Sequence, residues 1–426
     1  MKIPPRSVNI LVLILISSTG CGTSVSGNVP RSAVSTPTVE VILTDLENPR
    51  GVVVFESGDL LVAEAGTGYF SVDPTLWTGK LTRFSDLNGD GDFDDEAEAQ
   101  PWFSHFPSYN ALSIYATGGD EVGGPVDVLR HRDGRVFLSV DGGPGEIALH
   151  VISPERSIGR TLADRANMNG IAFDRDQSRL FAVESGTNTL IEISFQAEIR
   201  EIVSFPLLNS GQQAVPAGLA VDPRTGEVLV ALFSGRVIDD ETGETIPFIG
   251  GEAKIVRVDP QTGRITDEIT GLTTAVDVAI DPAGNLFVVE MASTYADILP
   301  RNYDLFDESA PPLHGGYLRY SGRLTLFPAS GALPRVIVEG LDTPTNITLG
   351  PEGALYLSTG QGTPGRSIPG PNGPKKIVGE IFRITNYLSE GPESMRGLLA
   401  RYAEYRKQTR LRRITKMPWL AERTQT

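Results

Sequence analysis

Hydrophobic and polar residues alternate with a period of two through most of this chain, and the alternation comes in paired runs. The clearest pair is TAVDVAIDPAGNLFVVEM, residues 274–291. Val276, Val278 and Ile280 alternate with Asp277 and Ala279, which predicts a strand over 276–280. Asp281-Pro282-Ala283-Gly284-Asn285 predicts a tight turn, Pro presetting φ and Gly tolerating a positive φ. Leu286 to Glu290 predicts the returning strand. The same unit begins at Pro49, Pro125, Met168, Pro216 and Pro344, so it occurs six times.

The first strands of the six units start at Gly51, Asp127, Gly170, Gly218, Asp277 and Asn346, spaced by 76, 43, 48, 59 and 69 residues. A four-stranded propeller blade needs about 40–45 residues. The short gaps are therefore bare blades and the long gaps are blades with inserted loops. Each unit is followed by a third apolar run, at 79, 147, 188, 253, 322 and 379, and most by a fourth. One such sheet cannot bury both faces, whereas six around an axis can. The last unit lacks a fourth strand, and VEVILTDL, residues 39–46, belongs to no unit of its own. The fold expected is all-β: a six-bladed β-propeller over 39–386, its ring closed by the N-terminal strand.

Composition changes this picture little. Gly 46 and Pro 30 suit a turn-rich β protein, and a net charge of -16 argues against nucleic-acid binding, which needs a basic face.

The two ends differ in kind. Lys2 and Arg6 precede an apolar run, ILVLILI at 10–16, too short to span a membrane. Ser18-Thr19-Gly20 then precede Cys21, the sole cysteine. Small residues before a Cys resemble a bacterial lipobox, which makes 1–21 a lipoprotein signal peptide and Cys21 the lipidation site. The alternative is an ordinary signal peptide cut near Gly22 or Ser26, giving a secreted or periplasmic protein. Residues 22–38 read as a flexible linker. The tail, 387–426, is basic: from Glu390 it carries nine Lys or Arg against four Glu. Met395, Leu398, Leu399 and Tyr402 stand at helical spacing, so the tail reads as an amphipathic helix that docks on the acidic ring or an anionic membrane, or as a disordered cationic segment.

Asp86, Asn88, Asp90, Asp92 and Asp94 space oxygen donors along a loop with Gly91 at its sixth position, the spacing of a calcium loop. Its twelfth position is Ala97, so the bidentate Glu of an EF-hand is missing, although Glu96 or Glu98 could reach round. A free-standing structural calcium loop is expected, and the alternative is a solvated acidic hairpin. The loop joins a third strand to a fourth, opposite the face that carries four long connections: 66–78, 234–252, 292–321 and 360–378. That elaborated face is the expected ligand rim, unless the insertions are neutral. Oxygen-bearing residues at or near inner-strand starts, Asp127, Asn169, Asp277 and Asn346, with Arg50 beside them, line the channel. They could hold a second divalent cation, or be satisfied by water and Arg50.

The repeat pattern Pro-x-Gly, an alternating strand, Pro-x-Gly and a buried strand ending in Glu or Asp resembles the NHL and SMP-30/gluconolactonase propellers. LENPRGVVVFESGDLLVAEAG from Leu46, TGKLTRF from Thr78 and GGPVDVLRHRDGRVFLSVDGG from Gly123 look closer to the ScyD/ScyE family of exported bacterial proteins. That resemblance implies fold and export more than activity. SMP-30 lactonases bind a divalent metal through a Glu, an Asn and an Asp at inner-strand starts. Asn169 matches the Asn segment, Asp277 stands one residue off the Asp position, and a Glu counterpart is not evident. Two functions follow: a binding module with its ligand on the long-loop face, or a metal-dependent lactonase-like hydrolase. A quinone-dependent sugar dehydrogenase is a third, requiring a mouth histidine, for which His314 is the one placed suitably among the four.

Overall fold

The computed structural model describes residues 36–95, 97–110, 120–141, 147–156, 158–163, 168–235, 249–294, 313–314, 317–370 and 372–388. Cys21, the linker up to residue 35 and the tail from residue 389, including its helical pattern, lie outside the described residues, as does Glu96.

Six four-stranded antiparallel sheets form the ring. Blade 1 is Pro49–Val54, Leu60–Glu64, Gly79–Phe84 and Ala99–Phe106 from inside out. Blade 2 is Pro125–Arg130, Val136–Asp141, Ile147–Ile152 and Ile158–Ala163. Blade 3 is Met168–Phe173, Arg179–Glu184, Thr189–Ser194 and Ile199–Ser204. Blade 4 is Pro216–Val221, Val228–Leu232, Ala253–Val258 and Ile265–Leu272. Blade 5 is Ala275–Ile280, Leu286–Glu290, Gly322–Phe327 and Arg335–Leu341. Blade 6 is Asn346–Leu349, Leu355–Thr359 and Gly379–Thr385, completed by the N-terminal strand Thr38–Leu46. That last strand pairs antiparallel with Gly379–Thr385, from Thr38 opposite Thr385 to Leu46 opposite Gly379, so the ring closes as its pattern predicts.

Burial follows strand position. Second strands such as LLVAE and VLVAL are buried at every residue, because a neighbouring blade covers each face. Outer strands such as IREIVS face water on one side. Among the described residues the apolar core falls into six clusters, each spanning one seam between neighbouring blades. The repeat's terminal glutamate has a structural task. Glu64 accepts from Glu47 N at 2.9 Å and Thr82 Oγ1 at 2.7 Å, and Glu290 accepts from Thr273 N at 2.7 Å. Each ties the chain entering its blade to the blade's interior.

The acidic loop between the third and fourth strands of blade 1 fastens the ring closure. Phe93 is buried in the seam cluster with Ile42, Leu43, Leu46 and Tyr356. Phe93 N donates to Ile42 O at 3.0 Å and Thr44 N donates to Asp94 Oδ1 at 3.0 Å. The loop thus grips the closing strand from the side.

Candidate functional site

Inner strands converge on the axis, and the residues beginning them decide what the channel is. Asp127 of blade 2 and Asp277 of blade 5 stand three blades apart in the ring of six, on opposite sides of the axis. Asp127 accepts from its own neighbour Val128 N at 2.9 Å and from Ile171 N of blade 3 at 2.9 Å. Asp277 repeats the arrangement, with Val278 N and Ile347 N of blade 6, both at 2.8 Å. On the other side each carboxylate lies against a glycine of the preceding blade. A Cβ on Gly51 would come within 2.9 Å of Asp127 Oδ1, and one on Gly218 would overlap the Asp277 carboxylate. The two acids therefore staple blades 1–2–3 and 4–5–6. Gly170 and Gly218 make the seam between the two halves, where a Cβ on Gly170 would stand 3.0 Å from the Gly218 Cα.

The partners of both carboxylates are backbone N–H groups, and Arg50 is not among them. Burial pushes Asp127 up to about 7 despite those two donors, and raises Asp277 well above the usual range, with repulsion from Asp127 added. The half-buried Asn169 and Asn346 contribute less: Asn169 O accepts from Ser139 Oγ at 3.1 Å, and Asn346 Oδ1 accepts from Thr348 Oγ1 at 3.4 Å. A cavity of about 460 Å³ runs from these acids toward the turns between first and second strands, past Phe55, Glu56 and Pro351. Among the described residues, no group of three or more His, Cys, Asp or Glu is arranged to hold a metal ion. Substituting Gly218 by Ala is expected to destabilise the ring by about 3 kcal/mol or more, since the methyl group meets the Asp277 carboxylate and nearby backbone. A melting temperature unchanged in that variant would show that the acid does not occupy this seat.

Arg50 points the other way, into the mouth on the long-loop face. Its Nη2 donates to Val122 O at 2.8 Å. With the Gln361 amide oxygen turned to the guanidinium, that oxygen accepts from Nη2 at 2.9 Å and Nε at 2.7 Å. Nearby, Asp120 is fully buried and accepts from Thr363 N at 2.9 Å, Thr363 Oγ1 at 2.6 Å and Arg366 Nε at 3.0 Å. Burial pushes Asp120 up, but Arg366 and Thr363 outweigh it and hold the carboxyl below its usual range. Arg319 forms a two-point pair with Asp342, Nε and Nη2 each at 2.9 Å. His314, also buried, sits among these groups. Burial, then Arg319, with further repulsion from Arg50 and Arg366, outweighs attraction from Asp120 and holds His314 down to about 3. Such an imidazole is neutral at pH 7 and a weak base.

Of these mouth residues the pattern of the chain singled out Arg50 and His314. Asp120, Arg319, Asp342, Gln361 and Arg366 carry no local signal. Asp120 and Arg366 are 246 positions apart in sequence and meet because blade 6 abuts blade 1. The connection from blade 1 to blade 2, which bears Asp120, belongs to the elaborated face as well, with a short pairing of Tyr109–Asn110 to Val122–Gly123.

In the acidic loop, side chains cap successive backbone N–H groups. Asp86 accepts from Gly89 N at 2.6 Å and Gly91 N at 3.1 Å, Asn88 from Asp90 N at 2.9 Å, Asp90 from Asp92 N and Asp92 from Asp94 N, both at 3.2 Å. Glu98 closes the loop by accepting from Leu87 N at 2.7 Å and Asp95 N at 3.2 Å. Partial desolvation, then Glu98, Asp90, Asp92 and Asp94, raise Asp95.

Comparison with known proteins bears on this ring. A family model described as SMP-30/Gluconolactonase/LRE-like region matches residues 112–276. The chain is a six-bladed β-propeller, and over residues 112–276 it is similar to that family. A search of curated protein sequences finds no match. Among solved structures, a Bacteroides thetaiotaomicron protein of unknown function is similar at TM-score 0.50 and 9% identity, covering 82% of this chain and 76% of that one. A Xanthomonas campestris gluconolactonase is similar at 0.36 and 18%, covering 56% and 68%. A Staphylococcus aureus virginiamycin B lyase is similar at 0.41 and 12%, covering 82% and 99%. Likeness at such identities speaks to fold alone.

Proposed function

We propose that this propeller is an exported, lipid-anchored binding module of ScyD/ScyE-like kind, holding its ligand at the mouth on the long-loop face. The observation that carries this is the gathering there of Arg50 from the first inner strand and of Asp120, His314, Arg319 and Arg366 from three connections, while the channel acids serve the backbone. The closing strand runs from Thr38 on the turn side to Leu46 on the mouth side. Hydrogen–deuterium exchange with candidate ligands tests the reading. Binding should protect 317–322 and 360–378, and protection confined to 127–130 and 277–280 would defeat it.

The 86–94 loop is proposed to bind calcium on its donor spacing; its carboxylates, which cap backbone N–H groups and are not gathered around one point, would have to converge on the ion. Calcium at 100 times its Kd should stabilise the fold by about 2.7 kcal/mol. The pair Asp86→Ala, Asp90→Ala should abolish that shift in a thermal melt. An equal shift in the double variant would place the calcium elsewhere.

The second reading is a metal-dependent lactonase-like hydrolase, favoured by the family match over 112–276. It requires Asp127, Asn169, Asp277 and Asn346 to hold a cation. Asp127 and Asp277 each spend two lone pairs on backbone N–H groups, and among the described residues no group of three or more His, Cys, Asp or Glu converges there, so the donor set fits poorly.

A further inference from the structure

We propose that the 66–78 connection of blade 1 is a lipid-contact loop, which lays the mouth face of the ring against a zwitterionic membrane surface. This goes beyond the ligand reading and does not depend on it. Tyr69, Phe70, Val72 and Leu76 are 60%, 57%, 90% and 51% exposed, four large apolar side chains within eight residues. Single exposed apolar residues are ordinary, whereas several gathered on one loop mark a contact surface. The loop spends its hydrogen bonds on its own frame. Thr67 N donates to Thr78 Oγ1 at 3.0 Å, Gly68 N to Ser108 Oγ at 2.9 Å and Tyr69 N to Thr67 Oγ1 at 3.3 Å. Asp73 N donates to Ser71 Oγ at 3.0 Å, and Asp73 Oδ1 accepts from Thr75 N at 3.0 Å and Thr75 Oγ1 at 2.8 Å. Pro74–Leu76 forms one turn of 3-10 helix, with Leu76 N donating to Asp73 O at 3.0 Å, and Trp77 Nε1 donates to Ser71 O at 2.8 Å. These polar groups are satisfied within the loop and its base while the apolar side chains face out, the reverse of an ordinary surface loop. Such a segment enters an apolar medium without stranding those donors.

Two observations favour lipid over a protein pocket. Composition is the first. Tyr69, Phe70 and Trp77 stand beside Val72 and Leu76, and Asp73 is the one charged residue in 66–78. That is the make-up of an interfacial segment, whose amphipathic rings sit at headgroup level. Thr75 holds Asp73 below its usual range, so it stays ionised and keeps the loop from passing beyond the headgroups. With the chain's net charge of -16, it also sets the preference for zwitterionic over anionic lipid. Position is the second. Leu207, in the connection from blade 3 to blade 4, and Ile249, in the long connection of blade 4, are exposed on the same face. Blade 4 stands opposite blade 1 in the ring. An occupant must be as broad as the ring to meet both rims at once, and a membrane surface is that broad.

The test follows hydrogen–deuterium exchange of the full-length purified protein with and without phosphatidylcholine vesicles, and tryptophan quenching by vesicles of acyl-brominated phosphatidylcholine. An acyl chain on Cys21 would carry every variant to the vesicles, so the deciding readouts are local. Slowed exchange over 69–77 is expected, with quenching of Trp77 that disappears in Trp77→Phe. Phe70→Ser, Val72→Ser and Leu76→Ser together remove exposed side chains and should leave the melting temperature unchanged. They should raise the lipid needed for half-protection of 69–77 by at least about tenfold. Unchanged exchange over 69–77 in the presence of vesicles overturns the proposal. So does protection that survives in the triple variant. Protection seen only with phosphatidylglycerol and abolished by salt assigns the contact to charge on the basic tail, and overturns it too. Protection of 69–77 without lipid that grows with protein concentration assigns the loop to a second copy of the chain, with the same consequence. Ligand protection over 317–322 is scored separately, so the mouth reading stands or falls apart from this one.

Discussion

Replacing Asp127 or Asp277 by Ala is expected to cost the ring about 2–6 kcal/mol at pH 5, where each removal orphans two buried N–H groups at about 1–3 kcal/mol apiece. Val128 and Ile171 lose their acceptor in one case, Val278 and Ile347 in the other. The pH dependence gives the sharper signature. The folded Asp127 holds its proton up to about 7, above the ordinary value of 3.8. Its contribution to stability is thus complete below pH 4 and is lost as pH rises toward 7. At 1.36 kcal/mol per pH unit over that window, the loss reaches about 4 kcal/mol. Asp277 acts with the same sign, being raised as well. His314 and His150 act oppositely, because both are lowered and the unfolded chain takes up their protons first as pH falls below 6.5. The comparison must therefore be Asp127→Asn against the parent at each pH, where the histidine contributions cancel. Asn cannot accept at both positions, so the variant should melt lower at pH 5, and the gap should close by pH 8. A gap constant with pH would mean that Asp127 is ionised throughout.

Removing the closing strand, residues 36–46, is expected to abolish cooperative unfolding. Ile42, Leu43 and Leu46 are buried in the seam between blades 6 and 1, and the strand covers the edge of Gly379–Thr385. Losing three such side chains forfeits about 1.5–3 kcal/mol of burial each, comparable with the whole stability of an ordinary domain, and exposes an unpaired sheet edge. Phe93→Ala is the milder probe of the same closure, at about 3–5 kcal/mol, since its ring fills that seam from the acidic loop. A truncated chain that still melts in one sharp transition near the parent temperature would show that five and three-quarter blades suffice.

How much of this the chain declares beforehand depends on the range of the interactions. Inner and second strands were legible because each alternates or is apolar throughout, and because Pro, Gly and Asp mark each turn. The closing strand was legible by elimination, as a β pattern with no unit of its own. The long connections of blades 1, 4, 5 and 6 were placed on one face by topology alone. What the channel acids do was not legible. Asp127 and Asp277 occupy positions where three of the six repeats have Gly, which suggested ligation, yet their partners Ile171 N and Ile347 N are 44 and 70 residues away. Backbone donors leave no mark in sequence. The mouth was hidden for a similar reason: Asp120 and Arg366 meet only through the closing of the ring, and Arg319 and Asp342 only through the folding of blade 5.

The most direct measurement is the metal content of the purified chain by elemental analysis, for the parent and for Asp86→Ala, Asp90→Ala, after equilibration with calcium and other divalent ions. If the channel acids are staples, the parent binds at the acidic loop and the double variant retains no stoichiometric divalent ion. One equivalent surviving in the double variant, and lost when Asn169 and Asn346 are changed to Ala, would put a cation on the axis. The mouth would then yield to the channel as the working site.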